Sequence, residues 1–122
     1  MQDLTFVLGP DRTGSEVWQH LGQAGINIEA ACMFPRLEGR VIHVTVADGD
    51  AETAHRILVD AGFAELDRRP VVLASFFDEP GALGALTRRI NDAGVKIYLM
   101  YMATGNRVVV GADDLETVAR VI

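Results

Sequence analysis

The segment Asp78–Gly94, "DEPGALGALTRRINDAG", decides how this chain is read, because Asp11–Gly25, "DRTGSEVWQHLGQAG", follows the same plan. Both open Asp-x-x-Gly and close Ala-Gly, and each runs into an alternating, β-branched stretch ("INIEAACMF", "VKIYLMYM"). Each reads as a strand–helix loop, a helix and its C-terminal glycine. The lengths differ: Gly94 stands 16 positions after Asp78, but Gly25 only 14 after Asp11. Counted back from the closing glycine, Leu21 matches Ile90 and Val17 matches Leu86, so the apolar register survives. Gly14 then falls opposite Leu83 rather than Gly81. The difference therefore belongs to the loop or the first helical turn. There, two residues amount to about 3 Å of rise and roughly 200° of rotation, in the kind of segment where ligand sites are built.

Working outward, "LTFVL" (4–8) predicts a strand with Leu4, Phe6 and Leu8 on one face. A helix over 15–24 carries Val17, Trp18, Leu21 and Ala24 as one stripe. "INIEAACMF" (26–34) predicts a strand, Pro35 to Gly39 a turn, and "RVIHVTVA" (40–47) a strand with Ile42, Val44 and Val46 on one face. Asp48 to Asp50 offers an N-cap for a helix marked by Ala51, Ala54, Leu58 and Ala61, with a short strand over 63–68. The order then restarts. "VVLASFF" (71–77) predicts a strand, and 81–93 a helix with Leu83, Leu86, Ile90 and Ala93 on one side. In "VKIYLMYM" (95–102), Val95, Ile97, Leu99 and Tyr101 face one way. Gly105-Asn106 predicts a hairpin turn into "RVVVGA", and Asp113 or Asp114 caps a last helix with Leu115, Val118, Ala119 and Ile122 aligned.

This is an internal repeat of a split βαβ unit, the ferredoxin-like topology of an α+β protein. The units are expected over 1–69 and 70–122, the second ending before its final strand. At about 60 residues, one unit alone buries only about 60% of its chain surface, so tightly coupled halves are expected. The 122 residues are 49% hydrophobic and 23% charged, as in a globular domain. A net charge of −6 repels phosphate backbones and argues against nucleic acid as partner. No apolar run approaches the roughly 18 residues of a membrane span, and the N-terminus does not read as a signal peptide. The single cysteine, Cys32, excludes an internal disulfide and makes a reduced, cytoplasmic setting the default.

The same segments resemble the ACT domain, a small ligand-binding regulatory module with the pattern Asp-Arg-Pro-Gly-x-Leu, a helix, then Gly-Ile-Asn-Ile. The second copy carries Asp78, Pro80, Gly81 and Leu83 at that spacing; the first carries Asp11, Arg12, Gly14, Gly25, Ile26, Asn27 and Ile28. Over essentially its whole length the chain resembles the stand-alone tandem ACT proteins of bacteria. The resemblance implies two ferredoxin-like βαββαβ units in tandem, forming an antiparallel sheet with helices on one face. It also implies a small effector, usually an amino acid, bound between units by the first strand–helix loop of one and the second strand of its neighbour. Carried over, the ligand-binding positions are Asp11, Arg12, Thr13, Gly14, Asn27 and Ile28 in the first copy. In the second they are Asp78, Glu79, Pro80, Gly81, Ala82, Leu83, Lys96 and Ile97. Thr13 stands where proline is usual, and Lys96 where the first copy has Asn27. A composite site is therefore expected, with Gly81, Ala82 and Leu83 near Asn27 and Ile28. Such a protein is a non-catalytic regulator; the alternative is a structural interaction module with a degenerate site.

Other residues read more plainly. Asp11 and Asp78 serve either a ligand ammonium or the helix start. Gly14 and Gly81 serve backbone conformation. Neither loop is a phosphate loop, and no cofactor motif is present. A hairpin centred near Leu37–Glu38 pairs Cys32 with His43. Parity nevertheless puts Cys32 with Ile26, Ile28 and Phe34, and His43 on the other face with Val41 and Thr45, and no third metal ligand is evident. His20 and His55 read as solvated, as do Arg88 and Arg89. Tyr98, Met100 and Met102 share a parity that predicts an uncovered sheet face and a homodimer.

Overall fold

The computed structural model describes residues 1–37 and 39–122; Glu38, one of the two residues expected at the hairpin centre, lies outside them. The chain forms two compact units, Met1–Arg69 and Pro70–Ile122. Unit 1 runs β1 (Gln2–Leu8), α1 (Gly14–Gln23), β2 (Ala30–Arg36), β3 (Gly39–Val46), a single 3-10 turn (Asp48–Asp50), α2 (Ala51–Asp60) and β4 (Ala64–Pro70). Unit 2 runs β5 (Val72–Ser75), α3 (Ala82–Asp92), β6 (Ile97–Ala103), β7 (Arg107–Ala112) and α4 (Leu115–Val121). The fold is α+β, built of ferredoxin-like units, as the repeat implied.

In unit 1 the strand order is β4-β1-β3-β2, with β1 and β2 both antiparallel to β3. Leu4, Phe6 and Leu8 pair across to Val44 and Ile42 and, at Leu8, to Arg40, so alternation puts one apolar face under both helices. Val17 and Leu21 of α1 and Ala54 and Leu58 of α2 close that core and are fully buried. In unit 2, β7 lies between β6 and β5 and is antiparallel to both. Its core joins Ala74, Val108 and Val110 to Leu86 and Ile90 of α3 and Val118 of α4.

One device ends three of the four α-helices among the described residues. Gly25, Gly62 and Gly94 take φ of 72°, 93° and 82°, left-handed values that glycine adopts without strain. The next residue, Ile26, Phe63 or Val95, is buried and donates its N–H to the carbonyl of Leu21, Leu58 or Ile90. This is the Schellman geometry with its hydrophobic contact. It corrects the reading of 26–34 as one strand. The Ile26 N–H belongs to the end of α1, β2 starts only at Ala30, and it continues through Pro35 to Arg36, into the expected turn. Likewise β5 stops at Ser75, short of Phe76 and Phe77.

The pairing Cys32↔His43 is as the hairpin arithmetic required. Partners in register share a face, so the assignment of Cys32 and His43 to opposite faces is overturned. The error came from counting parity through residues 26–29, which are not strand. In β6, a register shift between Ile97 and Leu99 breaks the alternation. Met100 therefore pairs with Val110 and packs on the core with Ile97, while Leu99 and Tyr101 take the other face. The expected Tyr98–Met100–Met102 surface does not form. Gly105 and Asn106, both with positive φ, make the hairpin turn.

Candidate functional site

The two strand–helix loops carry most of the predicted site residues, and the structure uses them differently. From the start of α1 to Gly25 the chain is one residue shorter than from the start of α3 to Gly94. The loop after Asp11 is also one residue shorter than that after Asp78. The missing pair is thus divided between loop and first turn.

In unit 1 the loop is drawn inward. The Arg12 guanidinium lies over the Phe63 ring at 4.0 Å, donates from Nη2 to the Ala61 carbonyl at 2.8 Å, and reaches Glu16 from Nε at 3.2 Å. It thereby meets a backbone carbonyl at the end of α2, where the helix dipole favours a cation. Thr13 stands at the N-cap of α1, and its N–H donates to the Glu16 carboxylate at 2.6 Å. That bond, chiefly, holds the Glu16 pKa below the usual carboxylate range. Arg40 donates from Nη2 to the carbonyls of Gly9 and Arg12, fixing the loop from the β3 side. Asp11 is exposed. Gly14 is needed for packing rather than for conformation: a Cβ there would meet the Met33 sulfur at 3.3 Å and the Ile42 side chain at 3.6 Å. Asn27 donates to Glu29, and Ile28 packs against the unit 1 core.

In unit 2 the loop stays open. Gly81 occupies the N-cap of α3 at φ 88° and ψ −12°, and no side chain caps that helix. Glycine is required by the backbone here, not by a neighbour, since a Cβ would meet nothing within 4 Å. Asp78, Glu79, Pro80 and Leu83 are exposed. A cavity of about 390 Å³ opens beside the loop, lined by Ser75, Phe76, Phe77 and Glu79 and by the α3 residues Ala82, Ala85, Leu86 and Arg89. It brings together predicted residues Glu79 and Ala82 with three that sequence reading missed: Phe76, Phe77 and Arg89. Arg89 is not simply a solvated outer residue: its Nε donates to the Val121 carbonyl at 3.2 Å. A signal existed, because Arg89 occupies the helical position matching His20. Lys96 is exposed, its N–H held by Asp113 at 3.0 Å, and Ile97 packs on the core.

The site can offer both signs of charge around an apolar wall. Phe76 and Phe77 supply aromatic surface, Arg89 a guanidinium, Glu79 a carboxylate. The α3 N-terminus supplies backbone N–H groups suited to a carboxylate.

Elsewhere, His43 is bonded to Asp3 at 2.9 Å and stacked on Phe34, while Thr5 reaches both His43 and Asp3. Cys32 is half-buried, and burial followed by the charge of Asp3 raises its thiol pKa, the opposite of an activated nucleophile. Among the described residues, no group of three or more His, Cys, Asp or Glu is placed to hold a metal ion. His20 packs edge-on against Phe63 and His55 pairs with Glu65 at 2.5 Å, so neither is simply solvated as expected. Among the described residues, no helix is long and apolar enough to cross a membrane.

No protein-family model matches this chain, and no curated protein matches it in sequence. Its fold does have relatives. A solved protein from Bacteroides thetaiotaomicron superposes with a TM-score of 0.80 at 27% identity, over 98% of this chain and 84% of that one. The regulatory subunit of aspartate kinase from Thermus thermophilus superposes with a TM-score of 0.73 at 18% identity, over 98% and 89%. That from Thermus flavus gives 0.71 at 18%, over 98% and 88%. What the chain shares with these is the fold.

Proposed function

We propose that this chain is a tandem ACT-domain protein, with units over 1–69 and 70–122. It acts in the cytoplasm as a non-catalytic, homodimeric regulator and binds an amino acid at the loop that opens α3. The motif Asp78-x-Pro80-Gly81-x-Leu83 and the fold shared with aspartate kinase regulatory subunits support this reading. The observation that carries it is the cavity beside the uncapped start of α3, which holds Arg89, Glu79 and two phenylalanines. A zwitterion fits that chemistry: its carboxylate meets the α3 N–H groups and Arg89, its ammonium meets Glu79, and its side chain lies on Phe76 and Phe77. About 390 Å³ accommodates a free amino acid. A ligand that binds one arrangement of the chain better than another shifts the population between them, which is how such a site regulates a partner.

The test is a thermal-shift screen of the common amino acids at millimolar concentration. A ligand at a hundred times its Kd adds about 2.7 kcal/mol, a rise of several degrees in Tm. Gly81→Val forces a branched side chain into the left-handed region while meeting no neighbour, so the fold persists and the ligand shift disappears. If no amino acid raises Tm, the reading as an effector-binding regulator fails and a structural interaction module takes its place.

A further inference from the structure

We infer that the cavity beside α3, taken as an amino-acid site on the reading above, selects ligands with an apolar side chain such as leucine or phenylalanine, and rejects acidic, basic and hydroxylated ones. Every residue of unit 2 is described, so the charges on the cavity wall can be counted in full. They are one of each sign, the Glu79 carboxylate from the loop and the Arg89 guanidinium from α3. Their sequence neighbours Asp78 and Arg88 do not line the cavity. The head of a free amino acid, one carboxylate and one ammonium, uses both charges together with the N–H groups that open α3. An acidic side chain would bring a second carboxylate with no second cation to meet it, and Arg89 already donates its Nε to the Val121 carbonyl. A basic side chain would bring a second cation with no second carboxylate. Either would set an ionised group against an apolar wall without a partner, which is unfavourable.

The rest of the wall is apolar. Phe76, Phe77, Ala82, Ala85 and Leu86 stand against a single hydroxyl, that of Ser75. Phe76 packs on the unit 2 core, which holds its ring in place. Phe77 is 84% exposed, so its ring is apolar surface that gains only when an apolar group covers it. On α3, Ala82 and Ala85 lie one turn apart, and their short side chains leave room for a branched or aromatic body. Alanine as ligand would leave the Phe77 ring bare. Threonine would carry a hydroxyl into a space where Ser75 alone could answer it.

Leucine, phenylalanine, alanine, threonine, glutamate and lysine are the probes, each titrated into the full chain and followed by the amide NMR signals of Phe77, Ala82 and Ala85. Leucine and phenylalanine are expected to bind about tenfold or more tighter than each of the other four. Phe77→Ala removes an exposed ring, so the fold persists. It should bring leucine to within about threefold of alanine by taking away the surface that the side chain covers. Glu79→Gln should instead weaken all six alike, because it acts on the head. Glutamate, lysine or threonine binding as tightly as leucine would overturn the selectivity while leaving the amino-acid reading in place. A Phe77→Ala variant that keeps the parent's full preference would do the same. Saturable shifts from none of the six up to about 10 mM would overturn the selectivity and the amino-acid reading together.

Discussion

Arg12→Met tests whether unit 1 closes its loop with its own guanidinium. Methionine keeps an apolar stem against Phe63 but removes every donor. The bond from Arg12 to the Ala61 carbonyl is a part-buried, charge-assisted one, for which about 1.5–3 kcal/mol is typical. The guanidinium 4.0 Å over Phe63 adds about 0.5–1 kcal/mol. The ion pair with Glu16 is only partly buried and still screened by solvent, and adds little. The expected loss is therefore about 2–4 kcal/mol. Trp18 is the only tryptophan and packs on the unit 1 core, so its fluorescence during urea unfolding reports on this unit. With a slope near 1 kcal/mol per molar for so small a unit, the midpoint should fall by about 2 M or more. Arg89→Met is the contrast: its bond to Val121 is exposed, and stability followed by circular dichroism should change by less than about 1 kcal/mol. An unfolding free energy for Arg12→Met within about 0.5 kcal/mol of the parent would show that the guanidinium does not hold the loop. The Arg12 contacts would then be incidental, and the two loops would not differ in the way argued.

Two further expectations follow from single geometries. Gly39 has φ of 133°, and a Cβ there would stand 2.3 Å from the Leu8 carbonyl oxygen, so Gly39→Ala must break the β1–β3 end; a loss above about 3 kcal/mol is expected from the Trp18 signal, and a near-neutral variant contradicts this register. Glu16 accepts the Thr13 N–H, and its pKa is lowered first by that bond and then by Arg12. A lowered folded-state pKa means that its contribution is complete above the ordinary carboxylate value of about 4.3 and is lost as pH falls through the lower folded value. A carbon-detected titration placing Glu16 at or above the ordinary value would contradict the cap.

The parts of the fold legible in sequence are those where one local pattern has one reading. The stripe of Val17 and Leu21, the alternation of Ile42, Val44 and Val46, and the Gly105-Asn106 turn each specify their element within a few residues. The misreadings lie where one pattern serves two structures. Ile26 and Ile28 alternate like strand residues, yet the first is the apolar partner of a helix end. Met100 follows the parity of a regular strand, yet one bulge near its start turns it toward the core. The candidate site was half legible for a similar reason. Gly81 announces itself through the left-handed cap. The wall of the cavity does not, because Phe76 and Phe77 read as the end of a strand and Arg89 as an outer helical position.

The difference between the loops reduces to the residue after each aspartate. In unit 1 that residue is Arg12, and the carbonyls at the end of α2 attract it, so the short loop folds onto Phe63 and is occupied by its own side chain. In unit 2 it is Glu79, and a carboxylate is repelled by the carbonyl end of a helix. The carbonyl of Val121 is met instead by Arg89, from the body of α3. That exchange frees the longer loop from any duty toward the second helix, leaves α3 without a side-chain cap, and sets a cation from the last turn of α3 on the wall of the cavity beside the loop. Length alone would not have opened the site. An arginine at position 79 would be drawn to the end of α4 as Arg12 is to the end of α2, and the space beside Phe76 and Phe77 would close.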